Sequence, residues 1–216
     1  MQLIVYTAIF GQIGDKLRPP QNTSSDVAYI AYLDVEEVPE VEGWEVRRPA
    51  WHHPDARRKA RKHKLLSHRL YPEADYTLWL DGCFTPVVDP WELVDRYLQD
   101  SDLCVFRHAQ RKCVYQEVEA CVRLRKDDPR VMRAQISRYR REGYPYHNGL
   151  AETGALLRRH TEKIREFNEA WWRELSQNSL RDQLSFDYVC WRHRIRYSVF
   201  DGDRHHTPYF HWRPHR

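Results

Sequence analysis

The sequence predicts an α/β fold with a mostly parallel central sheet flanked by helices. Three observations predict it. Strand-like apolar runs alternate with helix-period segments along the chain. Two of those runs end directly in an aspartate, as strand tips beside a ligand crevice do. Glycine is scarce, 8 in 216 residues, which argues against a barrel of Gly-rich turns. An apolar fraction of 41% over this length suffices for one packed core. Residues 1–216 read as a single domain, with 203–216 a His- and aromatic-rich tail.

Leu3 to Phe10 is apolar and β-branched and stops at Gly11, a buried first strand. Gly14 to Ser25, with Pro19, Pro20, Asn22 and Ser24, is a loop. Asp26 to Leu33 forms the second strand and delivers Asp34 at its tip. Asp55 to Leu70 is a strongly basic helix, anchored by Leu65 and Leu66 and closed by Pro72. Tyr76 to Leu80 is the strand in front of Asp81. Asp89-Pro90 caps and opens a helix to Leu98, and Leu103 to Arg107 is a short strand. Tyr115–Arg125 and Pro129–Arg141 are amphipathic helices, and Gly143 to Gly149 is a loop. Leu150 to Leu157 is a strand, and Thr161 to Leu175 a helix with Phe167, Trp171 and Trp172 on one face. Leu180 to His193 is a helix and Arg196 to Phe200 the last strand. There is no internal repeat and no low-complexity linker.

Charge is high but nearly balanced, 35 Lys and Arg against 31 Asp and Glu, for a net +4. That suits an anionic ligand without demanding nucleic acid. Eight Trp and thirteen Tyr supply rings able to stack on bases or sugars, although large cores use them too. Cys83, Cys104, Cys113, Cys121 and Cys190 show no CxxC pairing, which points away from structural zinc and disulfides and toward a reducing compartment. Met1 to Phe10 carries no basic leader, and no stretch reaches the length of a membrane span. The expected location is the cytoplasm.

Leu78-Trp79-Leu80-Asp81-Gly82-Cys83-Phe84 is the most informative stretch. An apolar run brings Asp81 to the end of a buried strand, where a catalytic or metal-binding acid belongs, while Asp-Gly is equally common turn chemistry. Arg57, Arg61 and Lys64 fall at roughly helical spacing and could hold a diphosphate; a solvated charged face is the plainer account of such a run. Asp34 is either a turn acid or an acceptor for a ribose hydroxyl or a nucleobase N–H. His108, Arg111, Lys112, Tyr115, Glu117 and Glu119 make a dense polar segment fit to face a substrate, though an acid such as Glu117 also suits a helix start. Glu152 lies inside an apolar strand, so it must be paired or functional. Asp182 and Gln183 open a helix, as N-terminal polar residues or as part of the same crevice. His205, His206, His211 and His215 include candidate metal ligands, or belong to a disordered tail.

Taken in order, YTAIFG with D-K-L-R-P, the strand ending in Asp34, R-K-A-R-K-H-K, LWLDG, H-x-x-R-x-x-V-Y-x-E, GLAET and RDQLSF resemble one family. It is a group of glycosyltransferase-like proteins, long catalogued as a domain of unknown function, with plant Golgi members linked to pectin or mucilage. The resemblance runs from Tyr6 to about Tyr188 and implies a GT-A, Rossmann-like sheet that binds a nucleotide-sugar donor. It implies donor contacts from Thr7, Phe10, Gly11, Asp34, Arg57, Arg61, Lys64, Asp81 and Gly82. Asp81 matches the first acid of an Asp-x-Asp element that holds Mn²⁺ or Mg²⁺ on the donor diphosphate, with His206 or His211 completing the coordination. Cys83 stands where the second acid would be, which is a departure. Asp182-Gln183 resembles the Asp-Gln of retaining family 8 transferases, making Asp182, Gln183 and Glu152 the catalytic candidates. His108, Arg111, Tyr115 and Glu117 fall to the acceptor or sugar side. The expected activity is transfer of a sugar from a nucleotide-diphosphate donor to a glycan or a modified DNA base. The competing readings are a nucleic-acid-binding protein or nuclease, and a transferase fold that has lost activity and only binds glycans.

Overall fold

The computed structural model describes residues 1–11 and 17–214, so Gly14 of the expected first loop and His215 of the tail lie outside the described residues. Its centre is β1 (Leu3–Ile9), buried on both faces. β1 pairs in parallel with β2 (Val27–Leu33) on one side and with β4 (Tyr76–Leu80) on the other; β3 (Glu45–Arg47) extends the edge beyond β2. Past β4 come β7 (Ala151–Arg159), β6 (Leu103–Arg107) and β8 (Ser198–Val199), giving the order β3-β2-β1-β4-β7-β6-β8. β7 is antiparallel to both β4 and β6; the other pairings are parallel, so the sheet is mostly parallel as expected.

The alternation of side chains along a strand divides the core into two layers. Ile4, Tyr6 and Ala8 face the larger layer, formed by α1 (Ala56–Leu65), α2 (Ser67–Leu70), α4 (Val114–Arg123), α5 (Pro129–Arg141), α6 (Glu162–Gln177) and α7 (Asp182–His193). Leu3 and Val5 face the smaller layer, which contains α3 (Pro90–Tyr97) and an added hairpin-like pair, β5 (Phe84–Pro86) with β9 (Phe210–Trp212). Antiparallel pairing of β5 and β9 returns the tail onto the turn after Asp81, so this part of 203–216 is ordered rather than a disordered appendage.

The single helix expected over Asp55 to Leu70 is divided. Leu66 leaves helical geometry at φ −99°, ψ 43°, and separates α1 from α2. At this break lies Arg158 of β7, which is fully buried and meets the carbonyls at the end of α1. Its Nη2 donates to Lys64 O at 2.8 Å and its Nη1 reaches Leu65 O at 3.4 Å. Helix ends leave carbonyls without intrahelical donors, and a guanidinium here supplies them. The last expected strand, Arg196 to Phe200, contracts to Ser198–Val199, and α7 begins at Asp182 rather than Leu180.

Burial lowers the imidazoles of His63, to about 4, and of His160, to about 3. Both are neutral in the fold and regain ordinary basicity when unfolded, so stability is complete above the unfolded value of 6.5 and falls as pH drops through it. The expected loss is about 2 kcal/mol for each histidine by pH 5. Urea unfolding at pH 7 and pH 5 measures it; an unchanged midpoint would contradict the buried neutral assignment.

Candidate active site at the strand ends

The site is assembled at the carboxyl ends of β1, β2 and β4, where an open α/β sheet binds its ligands. Asp81 follows β4, and its backbone N–H donates to Gly154 O at 2.8 Å, which ties the turn to β7. A Cβ at Gly154 would lie 2.8 Å from the Phe84 ring and 3.5 Å from Asp81 Oδ2, so this strand position requires glycine. Gly82 completes the turn beside it.

The centre of the site is Lys64. Its side chain is 1% exposed, and Nζ lies 2.6 Å from Asp182 Oδ2, 3.3 Å from Asp81 Oδ1 and 3.3 Å from Thr153 Oγ1. Thr153 donates onward to Asp182 Oδ2 at 3.0 Å, and Arg61 Nε lies 3.3 Å from Asp182 Oδ1. Asp182 is the first residue of α7, where the helix dipole favours an acid. Burial alone would raise its carboxyl, but the cations Arg61, Lys64 and Arg181 more than offset that and hold it well below the usual range. Trp79 Nε1 donates to Asp81 Oδ1 at 2.8 Å, so Trp79 and Lys64 address one oxygen of Asp81.

Glu152, on β7, occupies the other side. It pairs with Arg204 Nη1 at 2.7 Å. Burial raises its carboxyl; Arg204 opposes the shift and nearby Asp81 adds to it. The two acids are therefore pushed in opposite directions. Arg204 also lies 3.8 Å from Cys83 Sγ and 5.0 Å from the centre of the Trp212 ring, which links β9 to the turn. Gln183 is engaged by the protein, donating to Ala151 O at 3.2 Å and accepting from Arg181 Nη2 at 3.0 Å.

At the ends of β1 and β2, Asp34 pairs with Lys59 Nζ at 2.7 Å, and Lys59 sits 4.8 Å from the Phe10 ring centre. Thr7 is buried, and its hydroxyl has no hydrogen-bond partner among the described residues. Gly11, at φ +73°, turns the chain where a Cβ would meet Ala56 Cβ at 3.1 Å. Arg57 points away, 61% exposed and 3.8 Å from Asp55 at the start of α1, so of the expected basic row only Arg61 and Lys64 face the acids.

His108 and Arg111, both half-buried, cluster around the buried Glu117. Arg111 Nε donates to Glu117, and Arg111 Nη2 is 2.8 Å from His108 Nε2. Burial and the neighbouring cations Arg111, Arg204 and Arg181 lower the His108 imidazole, although Glu117 opposes them. Tyr115 is buried under Tyr146, with its hydroxyl donating to Tyr144 O at 2.7 Å. His206 is 85% exposed beside Asp203, and His211 lies on β9 opposite Thr85. Among the described residues, no group of three or more His, Cys, Asp or Glu side chains converges as a ready-made metal site. Sequence reasoning singled out neither Lys59, Arg181 nor Arg204; Lys59 belonged to the basic run, and its burial was the missing signal.

Residues 1–203 match the family model described as the TOD1/MUCI70 glycosyltransferase-like domain, and the chain belongs to that family. It is 33% identical over 145 residues to a probable hexosyltransferase, MUCI70, of Arabidopsis thaliana; the match covers 62% of this chain and 25% of that protein. It is 28% identical over 137 residues to a second Arabidopsis thaliana protein, named alkaline ceramidase TOD1, covering 58% of this chain and 30% of that one. The matches thus span about a quarter to a third of these relatives. The fold is similar to that of mouse xyloside xylosyltransferase 1, with a TM-score of 0.53 at 12% identity over 93% of this chain and 84% of that one. No described helix is long and apolar enough to cross a membrane.

Replacing Asp182 with Asn removes the carboxylate beside Arg61 and leaves buried Lys64 only Asp81 as an anion, and the expected destabilisation is about 3–5 kcal/mol at pH 7. Because the folded carboxyl is held below its ordinary 3.8, the stabilisation exists above that pH and fades beneath it. Urea unfolding of both proteins should show the gap narrowing below about pH 4. A gap independent of pH would mean that the ion cluster is not its source.

Proposed function

We propose that this member of the TOD1/MUCI70 family transfers a sugar from a nucleoside-diphosphate donor to a hydroxyl acceptor. The observation that carries the reading is Lys64, a buried ammonium shared by Asp81 and Asp182 at the ends of the sheet with Arg61 alongside. Cleavage of a sugar–phosphate bond puts negative charge on the leaving diphosphate and positive charge on the sugar. Preorganised cations lower the first cost, because they need no reorganisation as charge develops. Arg61 and Lys64 serve that role, while Asp34 and Lys59 mark the nucleoside side, with Phe10 buried beneath Lys59.

The acids divide the remaining work. Asp182 is a poor proton acceptor, since cations hold it ionised and occupy both its oxygens; it supports Lys64 and lies near the sugar's developing charge. Glu152, raised by burial, is the better general base for the acceptor hydroxyl. Arg204 orients it.

A divalent cation fits one part of this site. Asp81 Oδ2 is the oxygen that Trp79 and Lys64 do not address. Mg²⁺ commonly binds through one or two carboxylates plus substrate phosphates. Asp81 would hold Mg²⁺ or Mn²⁺ alone or with a tail histidine, His206 or His211, and the ion would supply Lewis-acid stabilisation of the leaving diphosphate. Arg61 and Lys64 bear on the same phosphates independently.

Melting temperature measured with UDP, GDP, CDP and their sugars, with and without Mn²⁺, tests the donor. One nucleotide series should raise it, since a ligand that binds only the folded state stabilises that state. Loss of the Mn²⁺-dependent part in Asp81→Ala would assign the ion to this carboxylate. No rise with any nucleotide would sink the reading, and either salt-dependent DNA binding or release of fatty acid from ceramide would then name its replacement.

With the stabilising donor, Glu152→Gln should keep the nucleotide-induced rise and lose on the order of 10²-fold or more in transfer rate. Equal loss of donor binding would return Glu152 to the donor side.

A further inference from the structure

Tyr146 is an exposed ring in the loop between α5 and β7. It is 54% exposed and stacks on Tyr115 with ring centres 4.2 Å apart and planes 23° apart. Tyr115 is itself held from below, 8% exposed and donating its hydroxyl to Tyr144 O. The Arg140 guanidinium is 5.3 Å from each ring centre. A cation equidistant from two stacked rings sits beside the stack, so it braces the pair and does not cover the outer face of Tyr146. Neighbouring His147 takes the left-handed conformation, φ 58°, and its ring lies tilted beside Tyr146, centres 6.4 Å apart and planes at 52°. The result is a flat apolar face on a rigid mount, with Lys112, Asn148 and Arg140 exposed nearby in sequence or space.

Its position relates it to the candidate chemistry. Tyr146 is six positions before Glu152, so their Cα atoms are at most about 22 Å apart. Tyr115 is two positions before Glu117 on α4, whose ion pair with Arg111 lies beside His108. A chain of sugars extending from an acceptor hydroxyl at Glu152 has this surface within reach. A pyranose presents an apolar C–H face that packs flat on an exposed aromatic ring.

We propose that Tyr146, mounted on Tyr115 and braced by Arg140, is a distal acceptor subsite that stacks a pyranose ring of a glycan acceptor. The proposal rests on the transferase reading above. It assigns Tyr146 to acceptor binding, away from the donor. Arg140 supplies hydrogen-bond donors to ring substituents beside the stack.

The test compares the unmodified chain, Tyr146→Phe and Tyr146→Ala on an array of immobilised neutral and acidic oligosaccharides. A single-stranded DNA oligonucleotide is the control. Nucleotide-induced melting shifts are measured on all three proteins. The unmodified chain and the Phe variant should bind the same oligosaccharides, with the Ala variant about tenfold weaker, the loss of one stacked ring. Nucleotide shifts should be equal in all three, which also establishes that each is folded. Equal glycan binding by Tyr146→Ala, or no glycan binding by any of them, overturns the proposal. Tyr146-dependent binding of the DNA alone overturns it in favour of a base-stacking surface. Absence of a nucleotide shift in the unmodified chain would instead remove the transferase reading, even with Tyr146-dependent glycan binding intact.

Discussion

A guanidinium buried without a carboxylate beside it governs the rest of this structure. Arg158 is fully buried, and no described acid pairs with it; burial pulls its basicity down. Removing a cation from water costs several kcal/mol unless polar partners replace the solvent. Here the partners are the Lys64 and Leu65 carbonyls, the Asn168 side chain and the Tyr6 hydroxyl, the last at 2.6 Å. Tyr6 in turn donates to Lys64 O at 3.0 Å. Two buried groups therefore grip the backbone of the residue whose ammonium joins Asp81 to Asp182. The negative end of the α1 dipole is the nearest thing to a counter-charge, and Arg158 sits on it.

That grip explains how a long flexible side chain can act as a rigid site element. A lysine ordinarily loses about 2 kcal/mol of rotamer freedom when it is immobilised. Lys64 has its carbonyl clamped, its stem packed in the core and its ammonium surrounded by oxygen acceptors, with the Trp79 ring 5.8 Å away. The cluster then sets the character of the acids. Asp182, among Lys64, Arg61 and Arg181, is held charged; Glu152, pushed up by burial and by Asp81 and opposed chiefly by Arg204, is not held down to the same degree. Opposite shifts in neighbouring carboxylates separate a permanent anion from a group able to exchange a proton.

Much of this was legible in the sequence. Apolar runs ending at Asp34 and Asp81 located the strands and the site's edge, because a parallel sheet buried on both faces leaves nothing polar until its tip. Glu152 stood out because an acid inside an apolar strand must have a reason. The sequence did not reveal which basic residues of α1 point inward. Helical spacing grouped Arg57 with Arg61 and Lys64, yet Lys59, His63 and Lys64 make the buried face while Arg57 stays in solvent. A face is chosen by what packs against it, and Arg158 is nearly a hundred positions away. The antiparallel insertion of β7 was likewise invisible, since strand direction is a property of the connections rather than of the strand's own residues. Strands as short as β3, β5 and β9 carry too few residues for a period to register.

The tail illustrates how such non-local contacts turn a collection of strand-tip residues into a site. Its histidines attract attention as ligands, but the tail residue that ion-pairs with a site acid is Arg204, on Glu152, with His205 adding a weaker charge effect there. It spans Glu152 and Cys83 while Trp212 and Phe84 flank its guanidinium, at 5.0 and 6.0 Å. The β5–β9 pairing that supports it joins the turn carrying Asp81 to a segment more than a hundred residues later. Glu152 therefore owes its counter-ion to the tail, whereas Asp182 owes its own to α1. The two acids thus draw their counter-ions from separate parts of the chain, while Asp81, which shares Lys64 with Asp182 and raises Glu152, is the group that joins their electrostatics.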